Sequence, residues 1–226
     1  MCFDIREAFP SVGHRHISQC VDDQDGDHRS AALLKAMTAD AQMVLRVHRQ
    51  TGQWYFVKGV RQGGASGPAV FKKAFKPILR DLKDDLQTQR IGFGMVSPVT
   101  HQLEEQTVTA YADDTELTLP VWPQDTVAEI QGRARGVRDK FREVLAGAGM
   151  ALADSKQECL PCFTGTGSVK RAVEFLAAAA ADDDRVFGTV TNRMTTLGYV
   201  TSSRMNANVE NRVTLAMKRF QEYRRI

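Results

Sequence analysis

The sequence predicts an α+β fold, an antiparallel sheet covered by helices, and three observations carry the prediction. Short stretches with period-two alternation of apolar residues recur along the chain, separated by longer stretches with apolar residues at helical three and four spacing. Their order (strand, helices, hairpin, helix, hairpin, helix, strand) suits an antiparallel sheet covered by helices. The 226 residues are 42% hydrophobic and 25% charged, as in a single compact domain with at most an appendage.

The elements follow in order. MCFDI at the start reads as the end of a strand, followed by a turn at Pro10 to Gly13. His28 to Met37 has helical spacing, and Gln42 to Val47 and Gln53 to Val57 are β-rich runs joined by a turn at Gln50-Thr51-Gly52. The glycine-rich GVRQGGASGP leads into a helix, because Pro68 suits a first turn and AVFKKAFKPILRDL keeps an apolar side; Pro77 should kink it. Thr107 to Tyr111 and Thr115 to Leu119 alternate as strands around Ala112-Asp113-Asp114, and Gln124 to Leu145 reads as the longest helix, stopped by Gly147 and Gly149. AAAAADDDR at 177–185 is a low-complexity helix-to-loop insertion. Met194 to Val200 is a short strand, and Asn206 to Arg224 has amphipathic helical spacing.

Composition excludes several classes of function. No window approaches the roughly 20 apolar residues of a membrane span, and the acid-bearing N-terminus has no secretory pattern, so an intracellular protein, in nucleus or cytoplasm, is expected. Cys2, Cys20, Cys159 and Cys162 supply a single C-x-x-C with no second pair or nearby histidine, so reduced thiols are the default over a zinc set. The net charge of +3 is small, but its distribution is not even. Lys58 to Arg90 and Ser202 to Ile226 are basic, while His101 to Ile130 holds Asp113, Asp114 and five further acids with no Lys or Arg. Such a pattern suits a polyanion held around a cation-binding centre; on charge alone, solvated helix faces are the simpler account.

Three carboxylates open the chemistry. Asp113 and Asp114 sit at a hairpin tip, and Asp4 ends an apolar strand. Adjacent acids repel unless water or a cation screens them, and carboxylate oxygens are the ligands that magnesium prefers, its other positions going to water and phosphate. Two such ions can drive an in-line phosphoryl displacement. Taken alone, an Asp-rich surface turn is the simpler reading.

The context is larger than these acids. FDIREAFPSV (3–12), GVRQGGASGPAVF (59–71), AYADDTEL (110–117), GMALADSKQE (149–158) and LGYV (197–200) follow one another as palm motifs A to E do. In them the chain resembles reverse transcriptases, RNA-directed DNA polymerases, in particular those of non-long-terminal-repeat retrotransposons and group II introns. The resemblance implies a polymerase palm over residues 1–200, with the insertion at 177–185, and the start of a helical thumb at 201–226. It implies a metal-binding triad of Asp4, Asp113 and Asp114, with the Ile5 carbonyl as backbone ligand, for two Mg²⁺ ions or Mn²⁺ in their place. Phe9 matches the residue that excludes a 2′-hydroxyl, although a core aromatic is the alternative. Arg61, Gln62 and Gly63 match the segment that faces the nascent base pair. Lys156 matches the lysine that protonates or stabilises the leaving pyrophosphate, the alternative being a solvated turn lysine. Leu197, Gly198 and Tyr199 match the primer grip, and Tyr111 a support packed beside the acids. Arg212, Lys218, Arg219, Arg224 and Arg225 are expected to reach backbone phosphate.

The partners implied are an RNA template, a DNA primer and deoxynucleoside triphosphates, with no membrane. The chain departs from the family pattern at Pro10, where a second acid is usual, and at Gly67-Pro68, where Ser-Pro is usual. Only three residues precede Asp4, so fingers are largely missing, and a fragment of a retrotransposon polyprotein that extends primers poorly or not at all by itself is the expectation. A catalytically silent palm remnant with nucleic-acid binding alone is the alternative.

Overall fold

The computed structural model describes residues 1–24, 28–38, 42–48, 50–56, 58–60, 66–97, 99–105, 107–111, 114–196 and 199–202. Arg61, Gln62, Gly63, Asp113, Leu197, Gly198 and the whole thumb segment with Arg212, Lys218, Arg219, Arg224 and Arg225 lie outside the described residues.

β1 (Cys2–Phe3) leads through a left-handed Glu7 (φ 47°) into α1 (Ala8–Ser11), one helical turn where the sequence suggests only a bend. Then come α2 (His14–Gln24), α3 (His28–Thr38) and a ribbon of β2 (Gln42–Val47) and β3 (Gln50–Tyr55). The ribbon's register pairs Val47 with Gln50, so the chain reverses at His48 (φ 54°) and not at Gln50-Thr51-Gly52. α4 (Gly67–Thr88) places Pro68 in its first turn and runs through Pro77 without interruption. It is one residue longer than α5 (Val127–Gly147), against the expectation that α5 is longest.

β4 (Gly94–Val96) and β5 (Leu103–Glu105) form a small ribbon that the sequence reading does not contain. β6 (Val108–Tyr111) and β7 (Asp114–Leu117) form the expected hairpin, but Asp114 belongs to the strand, paired with Tyr111, and not to the tip. A capping box starts α5: the Thr126 side chain accepts from the Glu129 N–H, and the Glu129 carboxylate accepts from the Thr126 N–H. A single 3₁₀ turn (Asp154–Lys156), β8 (Glu158–Cys159), α6 (Ser168–Ala180), β9 (Thr189–Val190) and a hairpin of β10 (Arg193–Thr196) and β11 (Tyr199–Ser202) complete the described chain. Met194 to Val200 thus spans parts of two antiparallel strands, not one strand.

The main sheet has the order β6-β7-β1-β8-β9. It is antiparallel except at its edge, where β9 runs parallel to β8 because α6 carries the chain back over the sheet between them. That corrects the expectation of a wholly antiparallel sheet. The core lies on one face: Phe3 and Ile5, Thr115 and Leu117, and Val108 point into it, and α4 and α5 cover it with Val70, Phe71, Phe75, Ile78, Leu82, Val137, Phe141 and Leu145. Phe3 meets Phe141 edge-on, with centroids 5.7 Å apart. Each such side chain contributes roughly 1.5–3 kcal/mol by leaving water.

The run at 177–185 is anchored. Ala177 to Ala180 finish α6, and Asp184 accepts from Arg138 of α5, a guanidinium 3% exposed, at 2.7 Å, while the Asp182 carboxylate accepts from the Val186 N–H. No disulfide forms, Cys20 and Cys159 are buried, and burial pushes both thiols up from their ordinary value. Among the described residues no helix is long and apolar enough to cross a membrane.

Candidate active site

The site starts from the alternation of β1. Phe3 and Ile5 are buried, so Cys2 and Asp4 take the opposite, open face. β7 runs antiparallel beside it with Cys2 against Glu116 and Phe3 against Thr115; one more step of that register sets Asp4 level with Asp114. Thr115 and Leu117 are buried as Phe3 is, so Asp114 and Glu116 share the open face with Asp4. Tyr111, the cross-strand partner of Asp114, lies on that face too, beside Asp114 and exposed.

The other side of β1 brings a cation. Ala153 donates its N–H to the Asp4 carbonyl at 2.9 Å, and Arg6 donates to the Ala151 carbonyl at 2.8 Å. These two bonds frame Ile5 and Leu152 as a pair whose own backbone groups point away from each other. The Ile5 carbonyl is therefore directed toward the β7 side, where Asp114 begins its strand. Beyond Ala153 the 3₁₀ turn swings Lys156 back, and its Nζ lies 2.6 Å from Asp4 Oδ2, with Asp4 19% exposed and Lys156 70% exposed. The turn is braced by Arg142 of α5, which donates to Asp154 at 2.8 Å; that bond holds the guanidinium proton more firmly than usual. Sequence reasoning did not find Arg142, whose partner lies 12 residues away with no local pattern linking them.

Phe9 sits on α1, half-buried, its ring stacked on Phe71 of α4 at 4.5 Å, and Phe71 in turn on Phe75. The Phe9 carbonyl accepts from the Val60 N–H at 2.7 Å and the Val12 carbonyl from the Gly59 N–H at 2.7 Å. The entry to the glycine-rich segment is thus sewn to the turn that follows Asp4. Gly59 has φ +98°, and a Cβ there would lie 2.8 Å from the Pro10 carbonyl oxygen, so this position requires glycine. His14, 7% exposed, is a second brace that sequence reasoning missed: its Nε2 bonds the Gly59 carbonyl at 2.9 Å, and the sequence signal was only a histidine two residues after motif A.

Of the residues singled out by sequence, Asp4, Ile5, Asp114 and Lys156 come together, and Phe9 is joined to them through α1. Tyr199 pairs with Thr196 on the β10–β11 hairpin. The donors at this face, two carboxylates and a directed backbone carbonyl, are hard oxygens of the kind magnesium takes. Among the described residues no three His, Cys, Asp or Glu side chains already form a metal cluster, while Asp113, the further acid of the motif, lies outside them.

A family model described as reverse transcriptase (RNA-dependent DNA polymerase) matches residues 1–200. The chain belongs to the reverse transcriptase family. No curated protein matches it. Membership accounts for the mixed α+β architecture of small, mostly antiparallel sheets and six helices among the described residues. Reverse transcriptases generally use divalent metals, nucleic-acid template and primer, and deoxynucleoside triphosphates.

Proposed function

We propose that this reverse transcriptase domain is a palm over residues 1–200, with the start of a thumb at 201–226, that polymerises DNA on an RNA template by two-metal nucleotidyl transfer. The reading extends to the non-long-terminal-repeat or group II intron subtype, to a source in a retrotransposon polyprotein, and to action in the nucleus or cytoplasm. Its main support is the convergence of Asp4, Asp114 and Lys156 on one open sheet face. Asp4, Asp113, Asp114 and the Ile5 carbonyl would hold the magnesium ions. Bound there, the two cations supply the charge that activates a primer 3′-hydroxyl and steadies the leaving pyrophosphate.

The chain's own residues do the rest. Lys156, already at the edge of the site and mostly in water, donates a proton or a hydrogen bond to the leaving phosphate. Phe9, locked by Phe71 and exposing part of its ring, occupies the place of a 2′-hydroxyl. Arg61, Gln62 and Gly63 follow directly from Val60 and face the nascent base pair. Leu197, Gly198 and Tyr199 hold the primer end, and Arg212, Lys218, Arg219, Arg224 and Arg225 reach duplex phosphates.

The test is single-nucleotide extension of a DNA primer on an RNA template with Mg²⁺ or Mn²⁺. Extension that falls by about 10²-fold or more in Asp113→Asn and Asp4→Asn is expected. Equal extension by Asp113→Asn, or none by the wild-type chain with either ion, overturns the reading.

A further inference from the structure

The β2–β3 ribbon forms its own two-stranded sheet, and such a ribbon standing alone is marginal in water. It nevertheless shows its aromatics. Trp54 is 46% exposed and Tyr55 73%, with Phe56 also exposed at the base of the ribbon. Trp54 and Gly52 lie two residues apart on one face of β3, Tyr55 on the other. The six-membered ring of Trp54 lies over Gly52, because a Cβ on Gly52 would run into that ring. One side of the indole is thus laid down on the strand, and the remainder is left open.

Covering a strand glycine with an aromatic ring is a stabilising device in itself. It accounts for the posture of Trp54 but not for Tyr55 and Phe56, nor for the charge around them. From Gln42 to Lys58 the sequence has Arg46, Arg49 and Lys58 and no Asp or Glu, and Arg46, His48 and Lys58 are exposed. Open aromatic faces set among cations, with anions excluded, are what a single-stranded polynucleotide requires, since every base offers a π-face and every link a phosphate. The ribbon is rooted beside the acids: Lys58 bridges Gly13 at the end of the turn that follows Asp4. Trp54 lies four residues before Lys58 in the sequence.

We infer that the β2–β3 ribbon is a stacking platform for an unpaired nucleic-acid strand, with Trp54 taking a base and Lys58 a flanking phosphate; Arg46, paired with Thr51, lies on the Tyr55 face. The inference rests on the polymerase reading only in taking that strand to be the template ahead of the primer end.

The test uses the whole 226-residue chain carrying Trp122→Phe, which leaves Trp54 as the one tryptophan of the sequence. Titration with a short single-stranded oligouridylate should quench its emission saturably, with affinity falling as salt rises, and a blunt duplex of equal length should quench much less. In the otherwise unaltered chain, Trp54→Ala should weaken single-strand binding measured by anisotropy by about 5- to 150-fold, the equivalent of one lost stack, and Trp54→Phe should keep most of it. Circular dichroism that matches wild type for both variants keeps the comparison valid; were Trp54→Ala misfolded, the emission titration and Trp54→Phe decide alone. Anisotropy that reports binding without quenching, or equal affinity of Trp54→Ala, overturns the inference. So does quenching that tracks protein concentration without oligonucleotide, which would make the ribbon an interface between copies. Quenching that survives in Asp4→Asn while no wild-type extension is seen leaves the platform standing and removes the polymerase reading; brisk extension without quenching does the reverse.

Discussion

Lys156 and Asp4 compete for the position a metal needs, and the competition can be measured. The ammonium lies 2.6 Å from Asp4 Oδ2, and a divalent ion must displace it or accept its repulsion. Two unit charges about 4 Å apart interact by about 1 kcal/mol in water and about 4 kcal/mol in the medium near a protein surface. Lys156 is 70% exposed, so water screens most of the larger figure, and roughly 1 kcal/mol is the appropriate scale. Lys156→Met keeps the stem and removes the charge, and should tighten Mn²⁺ binding about fivefold at low ionic strength, the gain shrinking as salt is added. Loss of the free Mn²⁺ signal in electron paramagnetic resonance titrations reads the constant. The same variant should extend primers more slowly, by about 10²-fold or more, since it has lost its proton donor. Mn²⁺ affinity in Lys156→Met that equals or falls below wild type refutes the claim that the pair sits where the cation goes.

Three further outcomes follow from the same geometry. Gly59→Ala must adopt a left-handed φ against the Pro10 carbonyl, a strain of about 1–3 kcal/mol that should lower Tm by about 2–12 °C; an unchanged melting curve would show that the turn relaxes freely. Phe9→Ala should raise incorporation of ribonucleotides relative to deoxynucleotides by about tenfold or more, whereas loss of thermal stability with unchanged selectivity would make Phe9 a core aromatic alone. Hydrogen bonds from Arg138 and then Arg135 hold the Asp184 carboxyl below its usual range. That stability is complete above the unfolded carboxylate pKa of about 3.9 and is lost as pH falls through the lower folded value, so Asp184→Asn should flatten the acid limb of the Tm-against-pH curve; an unaltered limb would place the acid sensitivity elsewhere.

What could be read from the sequence was local. Asp4 could be placed at the end of an apolar strand and the acids of AYADDTEL in a hairpin of alternating strands, but the place of Asp114 inside β7 and the Thr126–Glu129 capping box that starts α5 came only with the structure. α2 was legible but missed: its buried residues Ile17, Cys20 and Val21 fall at i, i+3 and i+4, the spacing of an amphipathic helix. The ribbon turn was misplaced because Gly52 looks like a turn residue, whereas the Trp54 ring is what requires a glycine there. The parallel pairing of β8 with β9 depends on where α6 returns the chain, and strands of two residues carry no such information. In the site, the acids and the lysine were legible from the family motifs as residue types. The ion pair of Lys156 with Asp4, the brace from Arg142 and the bond from His14 to Gly59 join positions 12 to 152 residues apart, which tertiary packing alone specifies.

The most direct test of the central claim is the position of a cation in crystals of this chain grown with Mn²⁺ and a deoxynucleoside triphosphate. The account predicts an anomalous scattering peak bound directly to an Asp4 carboxylate oxygen, at the roughly 2.0–2.1 Å typical of magnesium-like coordination, with the Lys156 ammonium moved off Asp4 toward the phosphates. A peak elsewhere on the protein, with Lys156 still paired to Asp4, would contradict it.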